Sequence, residues 1–186
     1  NLIITTNNLN GNAFNDKGFI IESEDLTYVS VRLFAGSYYQ AGSVVSKGVA
    51  ALGTEFRAGT FENEGNLTGN TPSNYTNFIS VLATQDNTTV DFKEFGNGVT
   101  VINNIPTENI SLNSGESYSV AITPYPSSSN SANASGLIGT LIESNKPIAV
   151  NSGSFNGSNS NYNNGGGQDL GIDQVAPASI IGNEYI

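Results

Sequence analysis

The sequence predicts an all-β protein, built from antiparallel β-sandwich-type modules and containing almost no helix. Apolar and polar residues alternate with a period of two in four segments, which is typical of half-buried strands. Clusters of Asn, Asp, Gly and Ser separate these segments and favour tight turns. No segment keeps apolar residues at helical spacing for three turns. The four alternating segments are residues 28–34, 77–83, 88–92 and 117–122.

Turn signals separate the predicted strands at regular intervals along the chain. Examples are residues 10–11, 97–98 and 114–115, each of which ends in Gly, and the polar run 85–87. Strands and turns that recur about every 8 to 12 residues favour a sandwich or a barrel. Residues 49–52 form at most one helical turn.

The composition excludes several classes of function. The 186 residues include no Cys, His, Trp or Met, 37% are hydrophobic and 12% are charged. Catalysis by Cys–His or Ser–His pairs and zinc sites built from thiolate or imidazole ligands are therefore excluded. The formal net charge of -10 repels a phosphate backbone, so nucleic acid is excluded as a partner.

The sequence also indicates where the protein works. No apolar run approaches the roughly 18 residues of a transmembrane helix, which argues against membrane insertion. Lys is scarce, whereas Asn, Ser, Thr and Gly are abundant, as suits an exported surface protein. We therefore expect an extracellular or cell-surface location.

Two stretches of the chain resemble each other and predict an internal repeat. Residues 18–37 align with 139–158, and residues 51–56 align with 180–185 after an insertion in the second copy. The extra residues fall in the Asn- and Gly-rich stretch 159–167. Insertions in repeats map to loops on one face, which is often the binding face.

The repeat predicts the organisation of the chain. A first β unit covers residues 1–138, and residues 139–186 start a second, truncated copy that packs with the first. We also expect the native chain to continue beyond Ile186, since the second copy stops where the first continues as a strand.

The inserted loop and the residues after it form the candidate binding site. Oxygen-bearing side chains alternate around Asn161 and Asn163, and a glycine-rich bend leads to Asp169 and Asp173. Calcium prefers oxygen ligands, so Asp169 and Asp173 are candidate calcium ligands. Alternatively, these carboxylates accept backbone N–H groups and fix the loop. The candidate ligand-binding residues are Asn161, Tyr162, Asn163, Asp169 and Asp173, and no other cofactor is predicted.

Five tyrosines fall in predicted loops or at strand ends. Aromatic faces stack on sugars, so these side chains are candidates for glycan recognition. The alternative is that they are ordinary aromatic residues at the rim of the fold. They are Tyr38, Tyr39, Tyr75, Tyr125 and Tyr162.

Two pairs of glutamates bear on catalysis. A glycosidase needs two carboxylates roughly 5 to 10 Å apart across a sugar-sized cleft. Glu22 with Glu143, and Glu55 with Glu184, occupy equivalent places in the two repeat copies. A Glu before a Ser-rich turn more readily caps that turn, so we expect no enzyme activity.

A family resemblance is carried by six segments that follow one another along nearly the whole chain. They are residues 17–23, 46–48, 51–57, 78–90, 139–150 and 167–177. Together they resemble the IgGFc-binding protein N-terminal domain family. The Cys-free form with a Gly-Gly-Gly-Gln-Asp segment is similar to copies in very large surface proteins of Bacteroidota, often beside gliding-motility-associated domains. The resemblance implies type IX secretion and a role in adhesion or motility, and it supplies no catalytic residues.

We therefore expect a non-enzymatic module of a secreted or cell-surface protein that mediates adhesion by binding an extracellular glycan or protein. Neighbouring modules of the same long chain are further expected partners. A purely structural spacer explains the composition equally well, and a carbohydrate-active enzyme or its accessory domain is a third alternative. The insertion favours binding.

Overall fold

The computed structural model describes residues 9–35, 40–60, 76–123, 130–157 and 169–182. All strand pairs are antiparallel and the helical segments in these ranges are short 3₁₀ turns, which confirms the predicted all-β class. The strands are β1 Ser30–Ala35, β2 Gln40–Val45, β3 Gly53–Arg57, β4 Asn77–Ala83, β5 Thr88–Lys93, β6 Ile110–Leu112, β7 Ser117–Ile122, β8 Leu141–Gly157 and β9 Asp169–Gln174.

The 17-residue strand β8 is the centre of the larger, seven-stranded sheet. Its first half lies between β3 and β5, with Ile142 opposite both Phe56 and Phe92. Its second half lies between β4 and β9, with Ser152 opposite Ile79 on β4. β6 and β7 extend the sheet beyond β5 and β4, while β1 and β2 form a separate two-stranded sheet. One strand therefore supplies backbone partners to four others.

The sheet bends where β4 passes into β5 and where β6 passes into β7. β4 pairs with the second half of β8 and β5 pairs with its first half, and both run antiparallel to it. The turn between β4 and β5 is therefore a corner at which the chain passes from one half of β8 to the other. Ser114 N–H donates to Asp86 Oδ1 over 3.0 Å and Ser114 Oγ donates to the Thr84 carbonyl over 3.1 Å, which joins the two corners. Asn87 and Gly115 adopt φ values of 54° and 82° there. The curled sheet that results is sandwich-like.

The hydrophobic core is built from alternate residues of the larger sheet. Every second residue is buried along β4 and β5, as the alternation over 77–83 and 88–92 predicts. Burying a Phe, Leu or Ile side chain contributes about 1.5–3 kcal/mol, and this burial drives folding. The largest buried side chains include Phe56, Ile79, Phe92, Leu112, Tyr118, Ile122, Leu137, Ile142 and Ile148.

Strand β7 differs from the half-buried strand that residues 117–122 predict. All six of its residues are buried, so both of its faces are covered. Phe14 and Ser117 exchange backbone hydrogen bonds of 2.8 Å at one end, and Asn133 Nδ2 donates to the Thr123 carbonyl over 2.9 Å past the other end. The alternation predicts that one face of β7 is exposed to solvent. Segments that are distant in sequence cover that face instead.

The predicted internal repeat is not confirmed. Residues 18–29 contain no strand, whereas the aligned residues 139–150 include the first half of β8. The physical reason is that β8 has strand partners on both edges, which the earlier segment lacks among the described residues. The division into units 1–138 and 139–186 stays a prediction, and β8 of the second unit pairs with β3, β4 and β5 of the first.

A buried asparagine connects two loops beside β7. Asn133 is 1% exposed. Its Oδ1 accepts from the Thr100 N–H over 3.0 Å, and its Nδ2 donates to the Thr123 and Thr100 carbonyls over 2.9 and 3.3 Å. The side-chain amide therefore satisfies backbone groups that lie outside the strand ladders.

We expect Asn133→Ala to lower the free energy of unfolding by about 1–3 kcal/mol, because the Thr100 and Thr123 backbone groups lose their partners. Asn97→Ala, at an exposed turn position, is the matched control and should change that free energy by less than about 0.5 kcal/mol. Urea denaturation measures both values. Equal stability of the two variants contradicts the role assigned to Asn133.

Candidate binding surface

Four strands end side by side at one end of the larger sheet. Asn77, the first residue of β4, lies opposite Ser154 on β8 and opposite Ile122, the last residue of β7. Gly157, the last residue of β8, lies opposite Asp169, the first residue of β9. The chain therefore enters and leaves the sheet at neighbouring positions. We name this end of the sheet, marked by Asn77, Ile122, Gly157 and Asp169, the strand-end surface. Asn77 and Ile122 are buried, so they anchor the ends of their strands and are not themselves available to a ligand.

Glycines allow β9 to approach its neighbours closely. A Cβ atom on Gly153 would lie 1.9 Å from the Gly171 carbonyl oxygen, and one on Gly42 would lie 2.7 Å from the Leu170 Cβ. Both distances are well inside van der Waals contact. β9 therefore packs on β8 at Gly153 and on β2 at Gly42, which places the β1–β2 hairpin beside β9.

A lysine before the first 3₁₀ turn binds the other end of β9. Lys47 Nζ lies 2.8 Å from both carboxylate oxygens of Asp173 and also donates to the Gln174 carbonyl. The Lys47 backbone N–H donates to Gln174 Oε1 over 2.5 Å. The Lys47 and Asp173 side chains are 40% and 74% exposed, so the ion pair adds modestly to stability. No local pattern in the sequence indicates this partner of Asp173.

The predicted site residues are placed only in part by the structure. Asp169 opens β9 and Asp173 lies near its end, bound to Lys47. Among the described residues, no three carboxylates are arranged to hold a metal ion, and calcium binding at Asp169 and Asp173 stays a prediction. The residues that lie outside the described ranges are Asn161, Tyr162 and Asn163, the insertion 159–167, and the loop tyrosines Tyr38, Tyr39, Tyr75 and Tyr125.

The structure brings together carboxylates other than the predicted pairs. Glu143 on β8 lies opposite Glu55 on β3 and Asp91 on β5. Lys93 Nζ lies 2.9 Å from Glu143 Oε2 and 3.1 Å from Asp91 Oδ2, which relieves the repulsion between like charges on neighbouring strands. Glu22 precedes β1 in a segment without strand structure. Glu184 lies outside the described residues, so its pairing with Glu55 stays a prediction.

Asp91, Lys93 and Glu143 ionise as a structural ion-pair network does. The Asn109 backbone N–H donates to Asp91 Oδ1 over 2.6 Å, and this bond is the main cause of a lowered pKa of the Asp91 carboxyl, with Lys93 adding to it. Glu143 and then Asp91 raise the pKa of Lys93. A general acid of a glycosidase requires a carboxyl pKa that is raised, which is the opposite direction.

Residues 41–186 match the family model described as IgGFc binding protein. The chain belongs to the IgGFc binding protein family. No curated protein and no solved structure is significantly similar to it. The family match begins within β2 and contains β3 to β9, so it includes the whole strand-end surface.

Membership of the IgGFc binding protein family indicates a binding-type extracellular module, since this is a family of binding domains and not a known enzyme family. The helical segments in the described part of the chain are all too short to span a membrane.

Gly153→Ala tests the packing of β9. We expect the added methyl group to push β9 away from β8 and to lower the free energy of unfolding by about 1–3 kcal/mol, as overpacking usually does. Gly59→Ala is the control, because a Cβ at Gly59 meets no atom within 4 Å. Urea denaturation compares the variants, and a Gly153→Ala protein as stable as the control contradicts the close approach.

Asp91→Asn tests the ion-pair network through its pH dependence. A carboxyl with a lowered pKa in the folded state stabilises the protein above its unfolded pKa of about 3.9, and this stability is lost as the pH falls through the folded pKa. We expect the variant to be less stable than the native chain by about 0.5–1.5 kcal/mol at neutral pH. Below the folded pKa of Asp91 the two proteins should be equally stable.

The free energy of unfolding is measured by urea denaturation at neutral pH and in acid. The control variant is Asp25→Asn, which changes an exposed residue before β1. This control should differ from the native chain by less than about 0.5 kcal/mol at neutral pH. A deficit of Asp91→Asn that persists unchanged in acid would show that shape, and not charge, determines the contribution of Asp91.

Proposed function

We propose that this chain is a non-enzymatic adhesion module that binds an extracellular protein or glycan at its strand-end surface. The observation that carries this function is the juxtaposition of Asn77, Ile122, Gly157 and Asp169. Connections that join the ends of antiparallel strands are well suited to recognition, because a rigid sheet holds their roots in place while their sequences vary.

The sequences rooted at these positions have the composition of recognition loops. They are residues 61–75, 124–129 and 158–168, which lie outside the described ranges. Tyr, Ser, Asn and Gly predominate in them, as in antibody paratopes, where tyrosine supplies rigid contact area and small polar residues supply adaptable hydrogen bonds. The residues proposed to contact a ligand are Asn161, Tyr162, Asn163, Asp169 and Asp173.

A calcium ion is proposed to bind at Asp169 or at Asp173. The two residues are four positions apart on the extended strand β9, about 13 Å, so their carboxylates do not share one ion. Both oxygens of Asp173 face Lys47 Nζ at 2.8 Å, so a cation at Asp173 has to displace this ammonium group. Binding of calcium is therefore expected to release Lys47 and loosen the contact between the loop after β2 and the end of β9. A chelator that leaves both binding and stability unchanged removes calcium from the proposed function.

The proposed cellular setting follows from the resemblance of segments such as 17–23 and 139–150 to modules of large Bacteroidota surface proteins. In that setting the module is exported by type IX secretion, lies beside other modules of one long chain and serves adhesion or gliding motility. A structural spacer remains the alternative function, and the binding experiment separates the two.

The experiment exposes the purified chain to immobilised polysaccharides and glycoproteins, with calcium and with chelator, and measures both retention and product release. We expect retention without release. Tyr162→Ala, and Asn161→Ala combined with Asn163→Ala, should each reduce retention at least about tenfold, as expected for central contact residues. Val49→Ala is the control, because Val49 is an exposed apolar residue outside the proposed site.

Each outcome bears on one alternative. Equal loss of retention in Val49→Ala and Tyr162→Ala contradicts a site at the strand-end surface. Absence of retention on every material favours the spacer. Release of product, if Glu143→Gln abolishes it, identifies an enzyme and overturns the proposed function.

A further inference from the structure

The segment that leads into β1 exposes large apolar side chains. Leu26 is fully exposed, and Tyr28 and Phe19 are 74% and 67% exposed. Monomeric proteins rarely leave extended apolar surface in water, and such surface marks an interaction site. We name residues 19–34 the β1 surface. Its other exposed apolar side chains are Ile20, Ile21, Val31 and Phe34.

The backbone of the β1 surface is also open to a partner. Within the described part of the chain, β1 pairs with β2 alone, and residues 19–28 form no backbone hydrogen bond with another segment. Thr27 Oγ1 makes local bonds to Ser23 Oγ and the Asp25 carbonyl, over 2.7 and 3.1 Å. An extended partner can pair with this backbone and cover the exposed apolar side chains, a mode of binding in which main-chain bonds give affinity and side chains give specificity.

The charge of the β1 surface selects the kind of partner. Glu22, Glu24 and Asp25 are exposed near its centre, and Arg32 is the one cation in residues 19–34, so three acids stand against one base. A second copy of the chain brings the same acids and a further net charge of -10, which opposes self-pairing. An anionic lipid surface is repelled for the same reason. The charge therefore favours a basic polypeptide.

We propose that the β1 surface is a docking site for an extended segment of a basic protein in which large apolar residues alternate with Lys or Arg. The segment pairs with the backbone of residues 19–28, which has no partner among the described segments. Its apolar side chains cover residues such as Phe19, Ile21 and Leu26, while its cations pair with Glu22 and Glu24.

Residues 19–28 of this docking site are distinct from the proposed strand-end surface, although the far end of β1 approaches it, since Leu33 lies opposite Gly42, which packs on Leu170 beside Asp169. The β1 surface precedes residue 41, where the match to the IgGFc binding protein family begins. At its start, Gly18 packs on Leu82, since a Cβ on Gly18 would lie 2.5 Å from Leu82 Cδ1. Leu82 is at the opposite end of β4 from Asn77. The two sites therefore require different tests and can fail independently.

The test uses the whole chain and a short fluorescent peptide in which Lys alternates with Val. A peptide in which Glu replaces Lys and another in which Ser replaces Val are the probe controls. We expect fluorescence anisotropy to show binding of the Lys–Val peptide and at least about tenfold weaker binding of the other two, since charge and apolar contact are both required.

Charge variants locate the binding. Glu22→Gln combined with Glu24→Gln should weaken binding of the Lys–Val peptide about 3- to 10-fold. Glu55→Gln combined with Glu108→Gln makes the same change in net charge at exposed positions elsewhere, and it should leave binding within about twofold of the native value.

Apolar variants locate it independently. Phe19→Ser combined with Ile21→Ser should weaken binding at least about tenfold. Val49→Ser combined with Ile181→Ser, which also removes exposed apolar side chains, is the control and should have no effect. Circular dichroism and urea denaturation verify that each variant is folded.

Three results overturn the docking site. The first is absence of binding by the Lys–Val peptide. The second is equal binding of the Lys–Ser peptide or equal weakening by the Glu55 and Glu108 variant, which indicates general attraction to an acidic chain. The third is a dimer that Phe19→Ser with Ile21→Ser dissociates, which identifies a second copy as the occupant. Glycan retention at the strand-end surface has no bearing on these results.

Discussion

The fold depends on one long strand whose backbone groups are used on both edges. A residue in such a strand needs a free N–H, so proline is tolerated only where the ladders are interrupted. Pro147 occupies such an interruption, because pairing of β8 with β5 ends at Ser144 and pairing with β4 begins at Ile148. Thr84 Oγ1 donates to the Pro147 carbonyl over 2.6 Å across this gap. The interruption in the pairing of β8 thus coincides with the corner between β4 and β5. The sheet curls at this position.

Strands with one face on the core could be predicted from the sequence, and β8 could not. Residues 77–83 and 88–92 alternate because one side chain in two points into the core, and the structure places β4 and β5 there. β8 contains Pro147 within a run that does not alternate cleanly, so neither its length nor its central place has a local signal. Similarity to residues 18–37 suggested a second copy of an early unit, but similar sequences adopt different structures when only one of them has neighbours on both edges.

The candidate site stays a prediction, and the contacts around it could not be predicted from the sequence. Residues 159–167 come between β8 and β9 in the sequence, but the repeat from which they were interpreted as an insertion is not confirmed. The contact of Asp173 with Lys47 joins residues far apart in sequence, and the row of Glu55, Glu143 and Asp91 depends on the register of three strands. Register is set by the whole sheet, so no local pattern in the sequence specifies it.

The distribution of cations connects the fold to recognition. Four of the six basic residues pair with carboxylates within the chain, and Lys146 donates to the Asp86 carbonyl. The cations therefore stabilise local contacts, and Arg32 is the one cation among residues 19–34, so the β1 surface keeps more acids than bases. A neutral glycan at the proposed strand-end site gains little from this charge, whereas the proposed basic segment at the β1 surface is attracted by it. Because salt screens exposed charges over about 8–10 Å, ionic strength distinguishes the two kinds of binding within one protein.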